Sequence, residues 1–555
     1  MARRATFLPH SRSTARPQPE DSRETRTGTR ADRAARSAAN VRAGIFFVVL
    51  ISVVTLALHY PLLSMPFYWD ELGQFVPAAL DIFEKGAWVP VSTLPNIHPP
   101  GLMALLAGVW QLTGYSIEVT RVAMLLLASL GVFLAFRITL QLAAGVPGLP
   151  GFSTVLLLFA SPLFYSQAMM AQLDMPAMVL TLLALSLFLD ERLILSAVAC
   201  IALVWVKETG VILPLVVGLF LWREGRRQEA LLFAIPCAAL APWLWLLWSH
   251  TGSIFGNREF AEYNVLYPLH PARLGLALLR RFYELCINHG YLLGAIPIAM
   301  LWRRRAVFAR WEWRLIYWFV LAHIVAVTVA GGAVLERYLL PVIPLCFAGF
   351  AIAWSELGGR KAIVFPLATA LLSGLGFFLP PLFPQPEENN LEMTRSVELY
   401  RIAARWLSKE HAHDSVATTW PLSDALSRPR MGYVDSPLKV LRMPSLDTEA
   451  LKRVAAKKPD AFVLYSNDEF EDSWIRLRFP IIDDLRSALY QWEPAVMGRD
   501  VEDILGMREE ARWQVGQSSI AVFSRREVWN DGRRRAIPTA QTVALSLEPA
   551  GRTSR

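Results

Sequence analysis

Apolar runs long enough to cross a bilayer recur from Val41 to about Leu382, and that recurrence restricts the fold more than any single motif. A hydrocarbon core roughly 30 Å thick needs about 20 apolar residues in a helix and leaves no backbone group unpaired, so repeated runs imply a helix bundle. A chain of 555 residues, 54% hydrophobic and 18% charged, can hold such a bundle and a soluble domain besides. The fold class expected is a polytopic α-helical membrane protein. The apolar periodicity predicts helices over 43–60, 120–141, 152–170, 175–189, 193–206, 209–222, 229–249, 287–301, 314–331, 338–354 and 361–380, which amounts to about 11 spans plus surface helices.

One further apolar run, Gly101 to Leu112, is too short for an ordinary crossing, and the basic connections decide its place. If it does not cross, the loops carrying Arg223, Arg226 and Arg227, then Arg303 to Arg305 and Arg310, then Arg360 and Lys361, all share the cytoplasmic side with the N-terminus. Residues 61–119 then form one long external loop with surface helices. On this topology Asp70, Glu71, His98, Asp174, Lys207, Glu208, Arg258, Glu262, Glu336 and Arg337 gather at the external edge.

Residues 1–42 hold ten arginines against four acids and few large apolar side chains, which reads as a disordered basic cytoplasmic tail. The first span reads as an uncleaved anchor. Residues 43–382 form the membrane domain. After the proline-rich exit Pro381–Pro386, residues 387–528 have the composition of a soluble α/β or α+β domain, which an odd number of spans places outside; 529–555 is a flexible tail. The four cysteines fit no metal or redox spacing. His411 and His413 are a weak metal pattern without further nearby ligands. No nucleic-acid partner is expected.

Chemistry concentrates in a few polar positions. Phe67-Tyr68-Trp69-Asp70-Glu71 sets two acids among aromatics just beyond the first apolar run. Adjacent side chains diverge, so one acid can face a reaction centre while the other holds a backbone group or a cation. Asp174, before Met175-Pro176, suits both a helix cap and a cavity wall. His98 precedes a rigid Pro99-Pro100-Gly101 and could meet a phosphate, carboxylate or metal. Lys207-Glu208 interrupts apolar sequence, which is costly unless the charges are paired with each other or used. Arg337, between Glu336 and Tyr338, has the forked donors that suit a phosphate, or it pairs locally with Glu336. The candidates are therefore Asp70, Glu71 and Asp174 for catalysis, and Tyr68, His98, Lys207, Glu208, Arg337 and Tyr338 for substrate binding. Asp70, Asp174 and His98 are the candidate ligands should a divalent metal take part; no cofactor is otherwise expected.

Tyr68-Trp69-Asp70-Glu71, Gly86-Ala87-Trp88, His98-Pro99-Pro100-Gly101, Leu173-Asp174-Met175-Pro176, Lys207-Glu208-Thr209-Gly210 and Arg337-Tyr338-Leu339-Leu340-Pro341 form a set whose order, over about 43–355, resembles the bacterial branch of the GT-C glycosyltransferases. That branch holds the aminoarabinose transferases acting on lipid A and relatives of the protein O-mannosyltransferases. The resemblance implies a transferase of the bacterial inner membrane. It would move a sugar, with inversion, from a polyprenyl-phosphate donor to a lipid, glycan or protein acceptor on the periplasmic or extracellular side. It implies Asp70 as base or acceptor-orienting residue, Asp174 supporting the same cavity, Lys207 and Arg337 facing the donor phosphate, and Glu71 orienting the acidic loop. Lys207-Glu208 stands where the aminoarabinose transferases read Lys-Gly, and His98-Pro99 where they read Lys-Pro; both differences argue against lipid A as acceptor. A transporter, or an outer-leaflet glycan ligase or lipid phosphotransferase, is the alternative reading of the same charges.

Overall fold

The computed structural model describes residues 30–378, 386–466, 484, 488, 496–515, 518–525 and 541–542. The described residues divide into two compact units, one ending at Leu50 and the other beginning at Ile51. The first helix runs Arg30–His59, so it begins inside the stretch expected to be loose. The alanines of Arg30–Asn40 favour helix strongly enough to extend it. Residues 1–29, the exit 379–385 and all of 529–555 except Gln541–Thr542 lie outside the described residues.

Among the described residues four helices are long and apolar enough to cross a membrane: Arg42–Leu62, Ile117–Ala143, Arg227–Thr251 and Trp311–Val329. Shorter apolar helices cover Gly101–Thr113, Pro150–Ala160, Asp174–Leu189, Leu193–Val206, Leu292–Leu301, Ile343–Leu357 and Lys361–Leu375. The chain is a polytopic helical membrane protein with a sheet-containing C-terminal part.

Proline explains most differences from the expected helices. The run 152–170 is split at Ser161, whose extended backbone (ψ 117°) is what a following proline imposes; its Oγ then accepts from the Phe164 N–H to start Pro162–Ala168. The expected helix over 338–354 begins only at Ile343, and Glu336–Leu339 is a separate 3-10 turn followed by Pro341. Pro271–Cys286, a strongly amphipathic helix, lies outside the predicted set because its polar face breaks the apolar run. Gly101–Thr113 is a 13-residue helix, about 20 Å long, well short of a hydrocarbon core of roughly 30 Å. Its first residue touches another backbone so closely that a Cβ on Gly101 would sit 2.4 Å from the Trp205 carbonyl oxygen.

The C-terminal part is a six-stranded mixed sheet in the order β2-β1-β3-β5-β4-β6. The strands are β1 (Ser415–Thr419), β2 (Lys439–Met443), β3 (Ala461–Ser466), β4 (Arg508–Val515), β5 (Ser518–Ser524) and β6 (Gln541–Thr542). β1 pairs in parallel with β2 and β3, whereas β5 runs antiparallel to β3 and β4. Phe462, Ala521 and Phe523 bury one face against Leu451, Val454 and Val501 of two short helices. The alternate residues Ile520 and Val522 are buried on the opposite face, where Met393–Glu410 lies along β4 and β5.

This domain is seated on the first loop. The Phe67 N–H donates to the Met431 carbonyl, the Tyr433 hydroxyl donates to the Phe67 carbonyl at 3.0 Å, and Arg428 reaches the Ser92 carbonyl at 2.7 Å. Trp420 stands edge-on to Trp69, with ring centroids 4.5 Å apart.

Candidate active site

The acidic loop is shaped by one strained residue. Trp69 has φ +54°, a left-handed conformation that an L side chain adopts only when its surroundings enforce it. Here Trp420 packs on it, and the fully buried Tyr68 anchors the residue before it by donating to Glu387 at 2.6 Å. A turn of π-helix, Glu71–Phe75, follows and sends the two acids in different directions.

Glu71 turns into the protein. Its carboxylate accepts from Arg121 at 2.5 and 3.0 Å, from the Ala171 N–H at 2.5 Å and from the Tyr68 N–H at 3.2 Å, and both charged side chains are fully buried. Arg121 also donates to the carbonyls of Met169 and Pro66. The pair therefore ties the first loop to the segment that leads into Asp174.

Asp70 turns the other way, onto Arg337. That guanidinium is bonded to Asp70 through Nη2 and to the Gln172 side-chain oxygen through Nη1. It also lies 3.3 Å from Asp174 through Nε and 2.8 Å from Glu388 through Nη1. Asp174 is bonded in turn by the Lys207 ammonium, which sits 4.4 Å above the Tyr338 ring. The helix Asp174–Leu189 starts at Asp174 itself without a side-chain cap, so this carboxylate serves the cluster and not the helix end. Neither local pairing considered from sequence occurs: Lys207 leaves Glu208 for Asp174, and Arg337 leaves Glu336 for Asp70.

Of the four ionic side chains Asp70, Asp174, Lys207 and Arg337, Asp70 alone is substantially exposed, at 24% against 4%, 7% and 4% for the acid, lysine and arginine behind it. Burial works against the Arg337 charge, but Glu388, Asp70 and Asp174 outweigh it and hold the guanidinium protonated. Such a cluster, shielded from water, keeps a fixed cation behind a reachable carboxylate, the arrangement that lets one group handle a proton while another faces developing anionic charge.

His98 and Glu208 form a second station. They are bonded at 2.8 Å, and Phe260 stands edge-on to the imidazole. Burial alone would raise the Glu208 carboxyl; the charge and hydrogen bond of His98, helped by Lys207 next door, overcome it and hold the group at about 2. An aromatic pocket lined by Phe75, Trp88, Met103 and Trp243 opens beside His98. The buried Glu336 carboxyl is pushed up to about 8, chiefly by burial and then by the charge of Glu284.

The residues suggested for a divalent metal do not fit one. Asp70 and Asp174 are already neutralised by Arg337 and Lys207, two cations that would repel the ion, and His98 is committed to Glu208. His411 faces Asp414 at 2.8 Å and Glu510 at 3.2 Å. Among the described residues no group of three or more His, Cys, Asp or Glu is arranged for a metal.

Three members of these clusters escaped the sequence reading. Arg121 lies one residue inside a helix predicted to start at 120; Ser116, whose Oγ caps the Val119 N–H, was the signal for the true start at Ile117. Gln172, two residues ahead of Asp174, is uncharged and gives no motif signal of its own. Glu388 lies in a separate domain, and nothing in its local sequence connects it to Arg337.

Membrane helices carrying a charged cluster under a small mixed sheet define a class, that of polytopic membrane proteins with a seated extramembrane domain. Within it the chain is similar to the crystal structure of ArnT from Cupriavidus metallidurans bound to undecaprenyl phosphate. The identity is 13%, with 87% of this chain and 98% of that chain covered and a TM-score of 0.52. The apo state of the same protein gives 14% identity, 88% and 98% coverage and a TM-score of 0.49. The archaeal oligosaccharyltransferase AglB from Archaeoglobus fulgidus, in complex with an inhibitory peptide and a dolichol-phosphate, gives 10%, 76%, 69% and 0.43. The shared fold is read from the first of these alone. No protein-family model and no curated protein sequence matches the chain.

Proposed function

We propose that this protein is an integral membrane glycosyltransferase that moves a sugar from a polyprenyl-phosphate donor to an acceptor on the extracytoplasmic side. The observation that carries the reading is Arg337 gripping Asp70 and Asp174 together, because it sets a carboxylate open to an acceptor beside a cation suited to a phosphate. The ArnT-like fold, in a protein whose structure holds undecaprenyl phosphate, supports the donor class.

In this reading Asp70 accepts the proton of the acceptor hydroxyl or amine, or orients it. The acceptor atom attacks the anomeric carbon, the bond from that carbon to the donor phosphate oxygen breaks, and polyprenyl phosphate departs with the electron pair. A single displacement inverts the sugar carbon. Arg337, with Lys207 behind it, offsets the charge that grows on the departing phosphate. Tyr338 forms the aromatic floor between these cations, and Glu71 with Arg121 fixes the loop. His98 and Glu208 line the acceptor side of the same region.

The test is a transfer assay in which the purified protein is supplied with the polyprenyl-phosphate sugars of its own membrane. Label passing to an acceptor, with stoichiometric release of polyprenyl phosphate, is expected. Uptake of solute into vesicles without any glycosyl product would replace the reading with transport.

A further inference from the structure

The turn Glu387–Asn389, at the start of the C-terminal domain, reaches the segments that carry Asp70, Asp174 and Arg337. Glu387 receives the Tyr68 hydroxyl. The Glu388 backbone carbonyl accepts from Ser166 at 2.8 Å and from Gln167 at 3.0 Å, while its carboxylate accepts from Gln172 at 2.8 Å and forms an ion pair, 2.8 Å long, with Arg337 Nη1. Asn389 donates to Glu336, the neighbour of Arg337. A surface turn has been drawn into the interior and pinned there.

That placement creates an imbalance. Three carboxylates, Asp70, Asp174 and Glu388, converge on two cations, Arg337 and Lys207. The surplus acid is the one brought in from the other domain, and it lies against Nη1 of the same arginine that the proposed function sets to offset the phosphate charge. A carboxylate and the two non-bridging oxygens of the donor's phosphodiester, or of the polyprenyl phosphate it releases, present the same pair of acceptors to an arginine fork. Both cannot hold one Nη1 edge at full charge.

We propose that Glu388 is an internal competitor for the donor headgroup: its carboxylate and the donor's phosphate exchange on Arg337, so that this acid tunes how tightly the anionic donor is held. The inference rests on the donor reading above. Charged groups facing Glu388 are Arg337, Asp70 and Asp174, with Lys207 behind Asp174; Tyr68, Glu387 and Glu336 lie around the same turn. Burial first, and then the charges of Asp70 and Asp174 against that of Arg337, push the Glu388 carboxyl up to about 7. The exchange therefore depends on pH near neutrality. Protonated Glu388 yields Arg337 readily, and ionised Glu388 resists.

The experiment measures binding of farnesyl phosphate and of farnesol to the full-length protein in detergent, at pH 6 and pH 8. With a group titrating near 7, roughly one molecule in ten carries the proton at pH 8, so wild-type affinity for farnesyl phosphate should fall about tenfold from pH 6 to pH 8 relative to that of Glu388→Gln. The probe itself gains negative charge over that interval, which acts in the opposite direction, so a fall cannot come from the probe. Glu388→Gln should bind farnesyl phosphate about tenfold more tightly than wild type at pH 8, with farnesol unchanged. Glu388→Asp, which keeps the charge, should not gain. A wild-type affinity that does not fall with pH relative to that of Glu388→Gln would overturn the proposal, and so would a Gln variant no tighter than wild type at pH 8 or an Asp variant that gains equally. If wild type at pH 6 does not prefer farnesyl phosphate to farnesol, the donor reading itself falls and the competitor role falls with it.

Discussion

At the scale of single residues, the two neighbouring acids have opposite assignments, and each is testable. Asp70 is the reachable one, so Asp70→Asn should cost roughly 100-fold or more in transfer rate while leaving the fold intact. Near-normal turnover of the purified variant would remove it from the chemistry. Glu71 is buried against Arg121, and Glu71→Gln strands a charge with no route to water. Breaking a buried pair in this way costs about 3–5 kcal/mol, so thermal unfolding should begin well below that of wild type. A variant as stable as wild type would show that the pair is dispensable. The sequence exposed both acids and their divergence, but not which would turn inward. That choice depends on the left-handed Trp69 and on Arg121, a partner fifty residues away that only folding brings near.

At the scale of elements, the connections between helices carry the chemistry. The turn after Leu193–Val206 supplies Lys207 and Glu208, and that after Trp311–Val329 supplies Arg337. Lys207, Asp174 and Arg337 were legible as costly charges at the ends of apolar runs, whereas their pairing was not, since both local ion pairs were equally plausible by spacing. Glu208 gives a pH test. Its carboxyl is held below the ordinary carboxylate range, so it contributes stability that is present above the ordinary value and lost as pH falls toward about 2. His98→Ala removes the strongest group opposing burial, so loss of structure on acidification should begin at a higher pH than in wild type. An unchanged acid midpoint would mean that the pair contributes nothing. For Arg337, substitution by Ala should weaken donor use more than acceptor binding, read as a rise in KM for donor with acceptor KM little changed; an equal effect on both would contradict its place at the phosphate.

At the scale of the whole molecule, hydropathy made the helical membrane class plain, and composition marked off the C-terminal part. The helix count and boundaries were less legible because prolines shorten and split helices that a hydropathy window joins, as at Ser161-Pro162. The seating of the sheet domain on the first loop was hidden entirely, since Tyr433, Met431, Trp420 and Glu388 read as ordinary residues of a soluble fold. That seating requires the first loop and the domain to share one side of the membrane. Single cysteines at the exposed positions Trp88 and Lys439 should therefore react with an impermeant reagent from the same side, and cysteines at Arg304 and Arg360 from the other.

The central claim is that Arg337 seats the phosphate of a polyprenyl-linked donor beside Asp70. Mass spectrometry of lipid retained by the protein purified from its own membranes tests it most directly. Wild type should carry a polyprenyl phosphate or its glycosylated form, and Arg337→Ala should lose most of it while keeping bulk phospholipid. Absence of such a lipid from wild type, or equal retention by the variant, would contradict the account.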